Sequence, residues 1–373
     1  MKGIKYISFL LFFIFGLFAA RAQQKEDCAI VLKNALKTYD EGAIEKVVDM
    51  LQGCMENGFS KEEKVQAYRL LILTYLFENN RTEAERNMVK LLKMEPEYQV
   101  NSAVDPPEFI KLFESYRTMP VFSMGLALGI NFSVVSVLKN YSIDIVDPKT
   151  KIKYHSKVGF QVALNYNHYL FDRCELSVEA SLGTNTFQYQ NDLIDFANVT
   201  FKETQSWIKL PVSATYDFGK GKKFKPYARL GASVGYLFSD NANIVRTYPL
   251  EDNSSSSAGK HAPVTSPTIS LKKYKYTDQF GSTQTTNLRN TFNYWILVGG
   301  GIKYKIKRGF VVLDVRYNLG LLNQVNTANR YSGISDLVFK YYYIDSDFKM
   351  SDLAVSLKYV RSFYKPKKKK EIN

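Results

Sequence analysis

From about residue 121 onward, apolar side chains recur at every second position. Phe122, Met124, Leu126, Leu128, Ile130 and Phe132 share one parity, and Ser123, Gly125, Ala127, Gly129 and Asn131 share the other. A period of two is the period of a β-strand. Strands of a soluble sheet also alternate, but here the second face is small and polar, and the pattern recurs eight times, near 121–132, 157–170, 174–189, 202–217, 225–240, 289–306, 309–322 and 351–364. That combination predicts strands with lipid on one side and a narrow polar interior on the other. Expected outward faces include Phe160, Val162, Leu164 and Tyr166; Ala228, Leu230 and Val234; and Leu313, Val315 and Tyr317.

The connections predict how such strands would sit. Residues 171–173, 219–223 and 307–308 are short links; 133–156, 190–201, 241–288 and 323–350 are long ones. Membrane barrels have short periplasmic turns and long outer loops. The alternation therefore predicts that both ends of the barrel face the periplasm. The longest link carries Ser254 to Ser257 and reads as an exposed flexible segment.

The N-terminus fits export. Lys2 and Lys5 precede an apolar stretch from Ile7 to Ala20, and Ala20-Arg21-Ala22 has the form of a cleavage site. The apolar stretch, about fourteen residues, is too short for a confident membrane-spanning helix. The expected organisation is a signal peptide at 1–22, a periplasmic helical domain at 23–118, a barrel at 119–365 and a basic tail at 366–373. The fold class is α+β multidomain: an N-terminal α-helical repeat-like domain followed by an eight-stranded antiparallel transmembrane β-barrel.

In residues 23–118 the apolar period is helical, with helices expected near 26–40, 43–57, 61–79, 81–94 and 106–117. Leu71, Tyr75, Ala84, Met88, Leu91 and Pro96 resemble the packing positions of a tetratricopeptide repeat: a large residue, an aromatic, a small residue where helices meet, and a closing proline. A plain helical spacer is the alternative reading. Repeats of this kind otherwise present a surface to a protein partner. Cys28 and Cys54 flank Gly42, where a helical hairpin is expected to turn, and an oxidising periplasm allows a disulfide between them. Cys174 is left as a free thiol at a strand start.

The net charge of +14 invites a nucleic-acid partner, but export argues against one. Part of the excess lies in Lys365 to Lys370, read as a solvated tail. An eight-stranded barrel has an interior that side chains just fill. The inward parity places Glu175, Glu179 and Asp314 there with Lys209, Arg229, Lys303, Arg316 and Lys358, a polar network more suited to a structural plug than to conduction.

Several segments together carry a family resemblance. Trp207-Ile208-Lys209-Leu210-Pro211-Val212, then Pro226-Tyr227-Ala228-Arg229-Leu230-Gly231 running on to Tyr236, then Gly299-Gly300-Gly301-Ile302-Lys303-Tyr304 and Arg316-Tyr317-Asn318-Leu319-Gly320-Leu321, are similar in order and spacing to strands of Bacteroidota-type outer-membrane β-barrel proteins. The resemblance covers about residues 120–364. It implies a fold and an outer-membrane lipid environment, with no catalytic residues to carry over. Pro211 lacks a ladder donor, so a bulge is expected there in the fourth strand.

No chemistry stands out. His155, His168 and His261 have no spacing that suggests a triad or a metal site, the triple glycine 299–301 is strand-interior, and no cofactor is implied. The favoured expectation is a non-enzymatic anchor whose helical domain binds a periplasmic protein of an envelope assembly, such as the secretion and gliding apparatus of Bacteroidota. A small pore or transport protein is the alternative, and a lipid-modifying barrel enzyme a third.

Overall fold

The computed structural model describes residues 28–369 apart from 57, 118, 144–151, 172, 194–196, 220–222, 249–262, 278–281 and 333–334. The expected signal peptide, the serine run at 254–257, His261 and Lys370 lie outside the described residues. Two compact units result. One comprises Met1–Pro120 with Tyr364–Asn373, and the other is Val121–Phe363.

Among the described residues the first unit has five helices: α1 (residues 28–40), α2 (Val47–Met55, entered through one 3-10 turn at Ile44–Lys46), α3 (Lys61–Phe77), α4 (Arg81–Met94) and α5 (Pro107–Glu114). Gly42 ends the first hairpin arm with φ +86°, and the Ala43 N–H closes back on the Thr38 carbonyl at 3.1 Å. Glycine meets no Cβ penalty in that conformation. Cys28 and Cys54 are joined by a disulfide across this hairpin. Ser60 and Glu63 form a reciprocal capping box that starts α3, and Asn80 caps α4. The fully buried Ala84, Met88 and Leu91 of α4 pack with Ile72, Phe109 and Leu112, while Tyr39, Tyr68 and Tyr75 bridge that cluster to the one around the disulfide. Arg69 ties α3 to Asp105 at 2.6 Å.

Two expectations fail here. The last helix stops at Glu114, and Tyr116–Arg117 is extended. It pairs antiparallel with Lys367–Lys368, and the Lys369 N–H donates to the Ser115 carbonyl at 2.7 Å. The tail backbone is thus paired as a short strand at Lys367–Lys368, while the side chains of Lys365, Lys367, Lys368 and Lys369 stay exposed as in a solvated run. Lys368 Nζ reaches Glu85 at 2.7 Å, and the Tyr364 hydroxyl reaches Glu97 at 2.7 Å. A backbone ladder needs no particular side chains, so a lysine-rich segment can supply it as well as any other.

The second unit is an antiparallel ring of eight strands: β1 (Pro120–Lys139), β2 (Lys153–Tyr169), β3 (Cys174–Leu193), β4 (Ala197–Asp217), β5 (Phe224–Thr247), β6 (Phe292–Ile306), β7 (Gly309–Gly320) and β8 (Asp347–Tyr364). Each pairs with the next, and β8 with β1 closes the ring. Outward apolar side chains form a belt, edged by Phe122, Tyr166, Tyr216, Phe363 and Tyr359 at one end and by Phe132, Phe238, Tyr236 and Phe292 at the other. The ten residue steps from Phe122 to Phe132, tilted as in a closed barrel, span about 25 Å, which matches the lipid-facing band of such barrels.

The strands run past the belt at one end. The third and fourth continue to Leu193 and restart at Ala197, so the long link expected at 190–201 is a three-residue connection at the tip of a projecting hairpin. Inward alternation continues there through Phe187, Tyr189, Val199 and Phe201, whose burial holds the extension in place. Pro211 causes no bulge. It sits in continuous register opposite Ser233 of β5. On its other side, the ladder with β3 is interrupted between Val178–Val212 and Ser181–Lys209 without a shift, as a residue without an N–H requires.

Candidate functional site

The lumen is filled in layers, and the inward parity of the strands decides which side chains enter each one. At the end near the chain's entry and exit, Lys303 of β6 lies 2.7 Å from Glu175 of β3 and 2.7 Å from Asp217 of β4. At the centre, Glu179 accepts from Arg229 at 3.0 Å, Arg316 at 2.7 Å and Lys358 at 2.8 Å. Asp314 completes that layer, 3.1 Å from Arg229 and hydrogen-bonded by the Tyr227 hydroxyl. Higher up, Lys209 meets Asp352 at 3.0 Å and donates to Asn185 at 3.1 Å, with its ammonium 4.6 Å from the centre of the Trp295 ring.

All eight lumen charges read from the sequence come together here. Two more, Asp217 and Asp352, were missed, and they decide the balance. Lys209, Arg229, Lys303, Arg316 and Lys358 now face Glu175, Glu179, Asp217, Asp314 and Asp352, five cations against five carboxylates. Both missed residues have the inward parity of their strands, Asp217 with Ser213 and Thr215, Asp352 with Ser356 and Lys358, so alternation alone could have found them. Charges in so narrow a space persist because each has a partner; removing one leaves a buried unpaired ion. A cavity of about 20 Å³ beside Glu175, Tyr227 and Lys303 holds little more than a single water.

Above the polar layers the interior turns aromatic. Trp207 and Trp295 meet edge to face at 5.2 Å. Phe187, Phe201, Tyr343 and Phe348 stack on them with Leu237, Ile244, Leu271, Leu288, Val325 and Leu337. Many of these come from the two longest links, 248–291 and 321–346, so the described parts of those loops fold inward over the barrel rather than standing free. The first contains short strands at Tyr274–Thr277 and Thr283–Thr286. A fully buried ion triad pins both loops: Arg289 donates to Glu203 of β4 at 2.6 Å and to Asp345 at 2.8 Å. Gln205 links Glu203 to the Trp207 indole N–H, and the Tyr343 hydroxyl donates to Asp345. Asp240 accepts from the backbone N–H groups of Leu271 and Lys272. Arg289 opens the expected strand 289–306 with the inward parity of Lys303, although the strand itself begins at Phe292; nothing in the sequence signalled Asp345, which lies in a loop.

Among the described residues, no group of three His, Cys, Asp or Glu side chains could hold a metal ion. His155 is exposed on the outer face, paired with Gln188 across the ladder. His168 lies 3.5 Å from the Tyr166 hydroxyl. Cys174 is free and half-buried at the start of β3. In the helical unit, Leu71, Ala84, Met88, Leu91 and Pro96 are buried and Tyr75 is partly so.

Several solved barrels are similar in fold. OprG from Pseudomonas aeruginosa is 12% identical, covers 66% of this chain and 97% of its own, and superposes with a TM-score of 0.33. Neisserial surface protein A is 16% identical over 64% of this chain and 96% of its own, with a TM-score of 0.26. The attachment invasion locus protein Ail of Yersinia pestis, solved with a heparin analogue, is 13% identical over 64% and 98%, also with a TM-score of 0.26. No curated protein sequence matches. The profile described as outer membrane protein beta-barrel domain matches residues 119–326, more than half of the chain and all but the last strand of the ring. The chain belongs to the outer membrane protein beta-barrel domain family.

Proposed function

We propose that this protein is a non-enzymatic anchor of the outer membrane whose helical unit recruits a periplasmic protein partner. The observation that carries the reading is the closed lumen: balanced ion pairs through its lower half and a buried aromatic core above leave the barrel a wall rather than a passage. A barrel with no passage and no catalytic constellation among the described residues acts by what it holds. What it holds is the helical unit, tied to both chain ends of the barrel through α5 and the docked tail.

Orientation follows from loop length. The links at 170–173, 218–223 and 307–308 are short and lie at the end where the chain enters and leaves the barrel, so that end faces the periplasm by the rule for such barrels. The packing of Ala84, Met88 and Leu91 against α3 suits a tetratricopeptide-like hairpin, and the motifs of β4 to β7 suit a Bacteroidota envelope protein, with a secretion or gliding assembly as the partner class. The test is crosslinking in cells from photoreactive residues on exposed positions of α3 and α4. A discrete adduct, lost together with function when residues 28–105 are deleted, supports the reading. Normal function after deletion, with no adduct, rejects it.

A further inference from the structure

We propose that the outer wall of β2 to β5 is a binding site for a phosphate-bearing acyl lipid. Two irregularities shape this wall. Between Lys157 and Gln161, β2 runs four residues while β3 runs three from Thr186 to Gly183. On β5, Leu237 pairs with Trp207 and Ser239 with Ser206, so Phe238 is the extra residue and stands out from the ladder, exposed. A bulge bends its strand and re-aims the neighbouring side chains. Between the two bulges the wall is made of small residues, Gly183, Thr184 and Ser206. The result is a groove of about 430 Å³ walled by Leu128, Phe160, Val162, Leu182 and Phe238. That volume is within the range of small-molecule sites, roughly 300 to 1,000 Å³. Because this face lies within the apolar belt, the groove opens on hydrocarbon, and an acyl chain is the occupant chemically matched to it.

The rows directly above the groove supply the headgroup chemistry. Register sets Lys157, Thr186, Thr204 and Asn241 side by side, then His155, Gln188, Lys202 and Asn243, then Lys153, Gln190 and Thr200. Apart from Val245 at the β5 end of the third row, every position in these rows is polar or basic, and none is a carboxylate. Lys157 and Lys202 are two strands and two residues apart, about 12 Å between Cα atoms from strand spacing and rise. Lysine side chains of that separation can converge on one phosphate. Neither pairs with a carboxylate among the described residues. Apolar groove and basic rows are continuous on the same strands, one below the other, as chain and headgroup are in a lipid standing in its leaflet.

The test uses the full-length protein in phosphatidylcholine vesicles doped with phosphatidylglycerol carrying a diazirine on its acyl chain, and parallel vesicles doped with the equivalent diacylglycerol, which lacks phosphate. After photolysis, adducts are mapped by mass spectrometry. The expected result is concentration of phosphatidylglycerol adducts at Phe160, Leu182 and Phe238, over Leu313 and Leu357 on the far wall. The Lys157→Glu/Lys202→Glu variant should lose about fivefold or more of that enrichment, from roughly 1 kcal/mol per lysine near an anionic headgroup. Ser206→Trp, which fills the groove, should abolish it, and diacylglycerol should show little. Competition by unlabelled lipid A or by unlabelled phosphatidylethanolamine tells which membrane lipid is the better ligand. Adducts spread evenly around the belt, or enrichment unchanged by lysine reversal, would overturn the proposal. The double lysine variant and Ser206→Trp are checked for native heat-modifiable mobility, and the diacylglycerol comparison on the wild-type protein decides the point even if they misfold.

Discussion

Replacing Arg289 by methionine should unlatch the loops from the barrel, and the size of the effect follows from the surroundings. Arg289 is fully buried, as is Glu203, and Asp345 is nearly so. Methionine keeps much of the volume and removes the charge. Glu203 then retains only the Gln205 amide and Asp345 only the Tyr343 hydroxyl as side-chain donors among the described residues. Two carboxylates are left buried, and breaking a buried pair from one side costs about 3–5 kcal/mol. Removing all three charges in Arg289→Met/Glu203→Leu/Asp345→Leu leaves nothing unpaired, and such replacements by apolar residues are often neutral or stabilising. The triple variant should therefore be more stable than the single one by several kcal/mol, although it carries more changes. The chain has 2 tryptophans, and both lie directly beneath the triad. Their emission in lipid vesicles titrated with urea reads the event: a red shift at lower urea for Arg289→Met, and near wild-type behaviour for the triple variant. If the single substitution costs less than about 1 kcal/mol, or the triple variant is the weaker, the triad is not what holds the loops.

Other consequences are equally concrete. Reduction of the Cys28–Cys54 bond, or Cys28→Ser/Cys54→Ser, should destabilise the helical unit by about 3 kcal/mol, since a closed loop of 26 residues is released in the unfolded chain; thermal melting followed by circular dichroism checks it. Gly235→Leu should displace Trp295, because a Cβ there would lie 2.6 Å from its ring, and should cost about 1–3 kcal/mol as overpacking with a change in tryptophan emission. Acid should loosen the tail strand. The hydrogen bond from Lys368, ahead of the one from Arg81, holds the Glu85 carboxyl below the usual glutamate range. A depressed carboxylate stabilises fully above its unfolded value and ceases to do so as pH falls through the folded one. Hydrogen exchange at residues 367–369 should accelerate on acidification. The effect is at most about 1 kcal/mol because the pair is partly solvated, and Glu85→Gln should remove the pH dependence.

How much of this was legible in the sequence depended on whether the local pattern and the long-range packing agreed. Within the belt they did. Lipid on one face and a crowded lumen on the other both follow residue parity, so Phe160, Val162 and Leu164 face out, and Glu179, Arg229 and Arg316 face in. Beyond the belt the outer face becomes polar while the inner face turns apolar, at Gln190 beside Tyr189 and Thr200 beside Phe201. Without an apolar outer stripe those stretches read as loop. The loops read as flexible because their own composition is polar. What orders them is a handful of widely separated residues, Leu271, Leu288, Val325 and Tyr343, that find a core supplied by other strands. The tail misled for a related reason. Its lysines announce solvation, but its backbone donors and acceptors were free to complete a ladder with Tyr116–Arg117. Of the buried triad, Glu203 and Arg289 had an inward parity to read, in the expected strands 202–217 and 289–306, and Asp345 had none.

The central claim is that the barrel is closed, so that function lies with what it carries. Planar-bilayer recording of the full-length protein addresses this most directly. A closed barrel should show no steady open conductance in the wild-type protein across the physiological voltage range, and measurable current only when the plug is disturbed, as in Arg289→Met. A stable, reproducible open channel in the wild-type protein, with a conductance insensitive to that substitution, would contradict it.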